Sequence, residues 1–131
     1  MNKILFICAG NVARSQMAEA FYNYFTHSDN AKSAGILDFT PAKYGHPILE
    51  VVTVMNEEGI DVSDKIVKTV TEKMYIEADH VYILCSREEC PSFLLVNEDK
   101  ITFWKIKDPF GSTVDNFRLI RDQIKKLVKS I

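Results

Sequence analysis

Apolar and polar positions along the chain fall into two alternating rhythms. Residues 2–8 carry the run Ile4-Leu5-Phe6-Ile7, too short for a helix and closed by a Gly-containing loop, which predicts a buried strand. Over residues 14–27, Met17, Ala18, Phe21 and Phe25 recur at helical spacing. A short strand is expected at 31–35, ending at Gly35. A helix opened by Pro47 follows, with Ile48, Val52 and Met55 inward and Gly59 as its stop. Thr71 and Glu72 start a short helix to about Ile76, and residues 79–85 read as a second strongly apolar strand. Residues 100–106 give a further strand, less buried and at an edge. The last element is a helix over 113–130, with Phe117, Ile120, Ile124, Leu127, Val128 and Ile131 on its apolar side. Ser112 and Asp115 resemble a capping box at its start.

Strands alternating with helices predict an α/β domain with a parallel sheet covered on both faces and right-handed crossovers. With 131 residues and no repeat or linker, residues 1–131 form one domain. Ligands of such sheets bind at the carboxyl ends of the strands. Cys8 and Cys85 each end a predicted strand and Asp108 follows a third, so topology brings all three to one sheet edge.

Composition narrows the classes. A chain 47% hydrophobic and 26% charged is globular, and no apolar run nears the ~20 residues of a membrane helix. The N-terminus lacks signal-peptide character, so a cytoplasmic, monomeric protein is expected. The net charge of −2 argues against nucleic acid as a partner. Arg118, Arg121, Lys125, Lys126 and Lys129 on the last helix read as a solvated face. Three cysteines are an odd count for a disulfide framework, which favours catalytic or redox roles. His27, His46 and His80 are scattered, and no metal is expected.

The chemistry concentrates in "CAGNVARS", residues 8–15. A loop between a strand and a helix N-terminus offers peptide N–H groups and partial positive charge to an anion. Arg14 adds a planar fork of donors suited to a tetrahedral oxyanion. Gly10 is expected to take backbone conformations closed to other residues, and Asn11 tolerates left-handed geometry. Helix N-termini and nearby cations favour thiolate, so Cys8 is a candidate nucleophile inside its own oxyanion cradle. Ser15 is placed to donate to the sulfur. The substrate-binding set is Ala9, Gly10, Asn11, Val12, Ala13, Arg14 and Ser15. The alternative for Cys8, an inert core thiol, is disfavoured by its place between a strand and a helix in a loop with Gly and Asn, whereas Asp108 could equally be an ordinary Asp-Pro turn.

"ILFICAGNVARSQMAEAF" resembles the active-site loop of the low-molecular-weight protein tyrosine phosphatase superfamily. "RSQMAEA", "SAG" at 33–35, "VMNEEGIDVS" at 54–63 and "DPFG" at 108–111 resemble its thioredoxin-coupled arsenate reductase branch. Many phosphatases of the superfamily have proline after Arg-Ser; here the residue is Gln16, as in the reductases. The resemblance implies a single-domain three-layer sandwich with a four-stranded parallel sheet. It implies Cys8 as nucleophile, Arg14 and the loop amides as oxyanion ligands, and Asp108 as general acid. It further implies a Cys8–Cys85–Cys90 thiol cascade that turns arsenate into arsenite, with no bound cofactor and with thioredoxin or a similar thiol donor supplying electrons. The "CSREEC" segment is shorter than the usual reductase spacing, and Ala13 stands where the loop often holds a further cysteine. Protein tyrosine phosphatase activity through a phosphocysteine is the alternative, with Phe39, Tyr44 or Phe110 as possible substrate walls and a phosphotyrosine protein as partner. A cysteine phosphocarrier and a non-catalytic oxyanion-binding redox module are remoter readings. Some reductases bind potassium at positions matching Asn11, Glu19 and Ser33. Lys68, aligned with a fourth acidic ligand, is expected to replace that cation.

Overall fold

The computed structural model describes residues 2–131. Four parallel strands form one sheet in the order β2-β1-β3-β4: β1 Ile4–Cys8, β2 Ala31–Gly35, β3 His80–Ile83 and β4 Ile101–Phe103. The helices are α1 Arg14–Thr26, α2 Thr40–Tyr44, α3 Leu49–Asn56, α4 Glu72–Glu77, α5 Ser92–Leu95 and α6 Val114–Lys129. The expected three-layer α/β sandwich is the fold observed.

Strand β1 lies at the centre, and all five of its residues are buried. Successive side chains of a strand point to opposite faces. Ile4, Phe6 and Cys8 accordingly join one core with Met17, Phe21, Val51, Met55, Phe117 and Ile124 from α1, α3 and α6. Leu5 and Ile7 join the other with Val81, Ile83, Tyr75 and Leu94, under α4 and α5. An uninterrupted apolar strand in the sequence thus reflects burial on both faces.

Several details depart from the expectations. Helix α3 starts at Leu49, with Ile48 as its extended cap residue, so Val51, Val54 and Met55 are its buried positions. Ile48 and Val52 pack only at the core's margin. Thr113, not Ser112, caps α6 by accepting from Asn116 N at 3.2 Å. Ser112 instead donates to the Pro109 carbonyl. Ile131 is half-exposed. Helices α2 and α5 and a 3₁₀ turn at Arg87–Glu89 were not anticipated. The α6 cations are also not a free face. Arg121 is buried and donates to the Val54 carbonyl at 2.9 Å and to Glu57 at 2.7 Å. Arg118 pairs with Glu57 and Lys125 with Glu58, binding α6 to the end of α3. Strand β4 is three residues long rather than seven. The chain leaves the sheet after Trp104 N reaches Ile83 O, and the Ile106 carbonyl goes to Arg14 instead.

No helix among the described residues is long and apolar enough to cross a membrane.

Candidate active site

Cys8 is the last residue of β1, and the loop to α1 curls over its sulfur. The thiol is buried, with Ser15 Oγ at 2.9 Å and the Asn11 amide donating at 3.3 Å. Asn11 holds φ of 59°, the left-handed conformation expected of it. Gly10 does not adopt a positive φ, and a Cβ there would make only ordinary contacts with Thr40 and Val12. The peptide N–H groups of Gly10, Val12 and Ala13 find no protein acceptor among the described residues. Ala13, the N-cap of α1, makes no side-chain cap, which leaves the helix N-terminus open to an anion.

Gly35, at the end of β2, lies against this loop. A Cβ there would come within 2.8 Å of Gly10 C and 2.9 Å of Ala9 O and Asn11 N. The glycine is needed for close approach of two backbones rather than for an unusual φ.

Behind the loop, Asn11 is fully buried in a directed hydrogen-bond network. Its Oδ1 accepts from Lys68 N at 2.9 Å and Gln16 Nε2 at 3.0 Å. Its Nδ2 donates to Ser15 Oγ at 2.7 Å and Ser33 Oγ at 3.0 Å. Ser33 in turn donates to Glu19 Oε1 at 2.9 Å. These groups do not fit a potassium ion, because Asn11 turns its NH₂ rather than its oxygen toward Ser33 and Glu19. A positive charge is already present. Lys65 Nζ stands 3.9 Å from Glu19 Oε2, and Lys68 Nζ donates to the Ile66 carbonyl at 2.9 Å. Burial pushes the Lys68 pKa down, while the charge of Glu19 raises it. Lys65 is thus the lysine nearer the Glu19 carboxylate, with Lys68 beside it.

Arg14 is buried and aimed by two backbone carbonyls: its Nη1 donates to Leu84 O at 2.7 Å and Ile106 O at 2.9 Å. Its Nη2 lies 3.6 Å from Asp108 Oδ2. Asp108 is half-exposed, and its other oxygen accepts from Phe110 N at 3.0 Å, which fixes the carboxylate's direction. Cys8, Arg14 and Asp108 line one cavity of about 300 Å³ with Phe39, Tyr44 and Phe110 at its mouth. Tyr44 and Phe110 meet edge to face, centroids 6.1 Å apart. The aromatic wall, built partly by α2, is therefore real. Pro41 at the start of α2 and Gly45 just past its end were the signal that could have found that helix.

Cys85 lines a second cleft of about 670 Å³ together with Arg14, Glu89, Trp104 and Asp108. All three cysteines are free thiols. Burial pushes the Cys85 thiol far up, and Cys90, Cys8 and Glu89 push it further, so it is protonated at neutral pH. Burial also raises Cys90, whose Sγ donates to the Ser86 carbonyl at 3.6 Å. The short "CSREEC" segment folds through the 3₁₀ turn, capped at Ser86 by Glu89, and both cysteines pack against the same apolar cluster.

A nucleophilic sulfur ringed by N–H donors, an arginine fork and a directed carboxylic acid can attack a tetrahedral oxyanion and protonate the oxygen it expels. Comparison with known proteins agrees. An arsenate reductase of Brevibacillus brevis is 35% identical over 130 residues, 96% of this chain and 90% of that one. A solved arsenate reductase in a phosphate-binding state superposes with a TM-score of 0.80 at 27% identity, covering 99% of this chain and 95% of that one. The YwlE arginine phosphatase, solved as a mutant with a phosphorylated active site serine, gives 0.85 at 25% identity, covering 98% and 91%. The model of the low molecular weight phosphotyrosine protein phosphatase family matches residues 3–131, and the chain belongs to that family.

Proposed function

We propose that the chain is an arsenate reductase working through a three-thiol cascade. The observation that carries this reading is the placement of Cys85 just past β3, in a cleft shared with Arg14 and Asp108, with Cys90 packed against the same apolar cluster. A hydrolase has no use for a second and third thiol so placed.

The Cys8 thiolate attacks arsenic, forming an S–As bond, while Asp108 protonates the departing oxygen, which leaves as water. Cys85 then attacks the Cys8 sulfur. An S–S bond forms, the S–As bond breaks, and its electron pair stays on arsenic, now arsenite. The Cys85 proton must be lost in this step. Cys90 attacks the Cys85 sulfur, expelling Cys8 as thiolate and leaving a Cys85–Cys90 disulfide. A thioredoxin-like dithiol, reaching Cys90 at the half-buried surface, returns this pair to thiols. The loop amides of residues 9–15 and Arg14 hold the oxyanion throughout.

The aromatic mouth of Phe39, Tyr44 and Phe110 favours a second activity, hydrolysis of an aromatic phosphomonoester through phosphocysteine at Cys8. Arsenate needs no such wall. A coupled assay with arsenate, thioredoxin, thioredoxin reductase and NADPH tests the main reading. Cys85→Ser removes arsenate-dependent NADPH loss and leaves p-nitrophenyl phosphate hydrolysis intact. Arsenate reduction that survives this substitution overturns the cascade.

A further inference from the structure

We infer that Gln16 is a positioning residue that sets the direction of the hydrogen-bond chain activating Cys8. The inference rests on Cys8 as nucleophile, a step common to both activities above.

Gln16 is almost wholly buried, yet its Oε1 has no hydrogen-bond partner among the described residues. Its Nε2 donates to Asn11 Oδ1 and to the Ile66 carbonyl, both at 3.0 Å. Both partners are acceptors. Reversing the amide would set an oxygen against two oxygens, so only one orientation is allowed, and it leaves Oε1 orphaned. An unpartnered buried polar atom is costly. The fold tolerates it because the amide's two protons are used elsewhere.

Their use follows from donor and acceptor counts. With Gln16 and the Lys68 amide both donating to Oδ1, Asn11 must present Nδ2 to the two serines. Ser15 Oγ accepts from Nδ2, and because the Cys8 thiolate can only accept, the serine's single proton goes to Sγ at 2.9 Å. Ser33 accepts from the same Nδ2 and sends its proton to Glu19. Each hydroxyl has one proton and two possible directions, and the Asn11 amide chooses for both. Gln16 holds that amide from one side and the 66–68 segment from the other. The oxyanion's own ligand is fixed independently, since Arg14 is bonded to Leu84, Ile106 and Asp108 and not to this network. Gln16 therefore governs the sulfur and not the cradle.

Gln16→Met keeps length and burial but loses the donor; Gln16→Glu puts an acceptor against Asn11 Oδ1. The rate of iodoacetamide alkylation at Cys8, read on its peptide by mass spectrometry at neutral pH, is expected to fall roughly tenfold in both, as for loss of a charge-assisted bond to thiolate. Affinity for inorganic phosphate, read by its protection of Cys8, is expected to stay within about twofold, since the loop amides and Arg14 are retained. An unchanged alkylation rate in either folded variant overturns the inference. So does an equal loss of phosphate affinity, the mark of a merely loosened loop. Without any substitution, the Gln16 side-chain amide resonance of the native protein should move when Cys8 is alkylated, and a resonance that stays in place counts against the chain. Alkylation needs no arsenate and no reductant, so failure of the reductase reading leaves this test unaffected.

Discussion

The guanidinium of Arg14 donates at 2.7 Å to the carbonyl of Leu84, the residue before Cys85. The same nitrogen donates to Ile106 O, two residues before Asp108. The oxyanion ligand is thereby built into the strand ends that carry the resolving thiol and the acid. It also lines both the cavity that holds Cys8 and the cleft that holds Cys85.

Arg14→Lys tests the double role. Lysine is a point charge that cannot hold two carbonyls and an oxyanion in one plane. Turnover is expected to drop roughly 10²–10³-fold, the usual scale for removing a preorganised oxyanion donor. Phosphate affinity should fall with it. A lysine variant with native turnover would show that charge alone suffices.

Gly35→Ala has no chemistry to lose, only space. The added methyl would sit 2.8 Å from Gly10 C, so the loop backbone must move. Overpacking of this kind costs about 1–3 kcal/mol. The variant should melt earlier and bind phosphate more weakly, although Gly35 touches no ligand. Calorimetry and phosphate titration check both, and native phosphate affinity would mean that the loop adapts without loss.

Asp108→Asn keeps the loop shape and removes the proton. General acid catalysis is typically worth ~10²–10⁴-fold, and the first chemical step should slow by that order. Phosphate affinity should hold or rise, because a carboxylate 3.6 Å from Arg14 no longer competes for it. Stopped-flow kinetics separates the two effects. A single-turnover rate matching the native protein would dismiss Asp108.

The α3–α6 contact should respond to acid. Hydrogen bonds from Arg118, with Arg121 adding to them, hold the Glu57 carboxyl down from its ordinary 4.5 to about 2. A depressed carboxyl stabilises the fold fully above its unfolded pKa and ceases to do so as pH falls through the folded one. The contribution is thus complete above about pH 4.5 and lost toward pH 2. Glu57→Gln should flatten the melting temperature's dependence on pH in that interval, and an unchanged slope would assign acid sensitivity to other groups.

Much of the nucleophile's setting was legible in order along the chain, because it is local. The loop from Cys8 to Ser15 is covalently continuous, its strand and helix have strong periodicity, and each contributes its end to one hollow. The nearness of Cys90 to Cys85 in the chain is likewise local, and the 3₁₀ turn Arg87–Glu89 lies between them. Tyr44 and Phe110 are different, since an edge-to-face contact across 66 positions has no trace in either neighbourhood. Gln16 gave no local signal either: its partner Ile66 lies fifty residues away. Arg121 looked like one of five cations on a polar helix face until Glu57 and the Val54 carbonyl came to it from another helix.

The sequence by itself determined the parallel sheet, the position of its catalytic edge, and a thiol and a guanidinium at the two ends of one loop. Strand and helix periods and a continuous turn are short-range, and the hydrophobic effect acts on them without knowing the partner. Only the tertiary structure decided which way each shared proton points, which glycine the loop rests on, and that Arg14 lines both the cavity of Cys8 and the cleft of Cys85. Hydrogen bonds and close contacts need ångström-scale agreement between segments far apart in the chain, and that agreement exists only after the layers have packed.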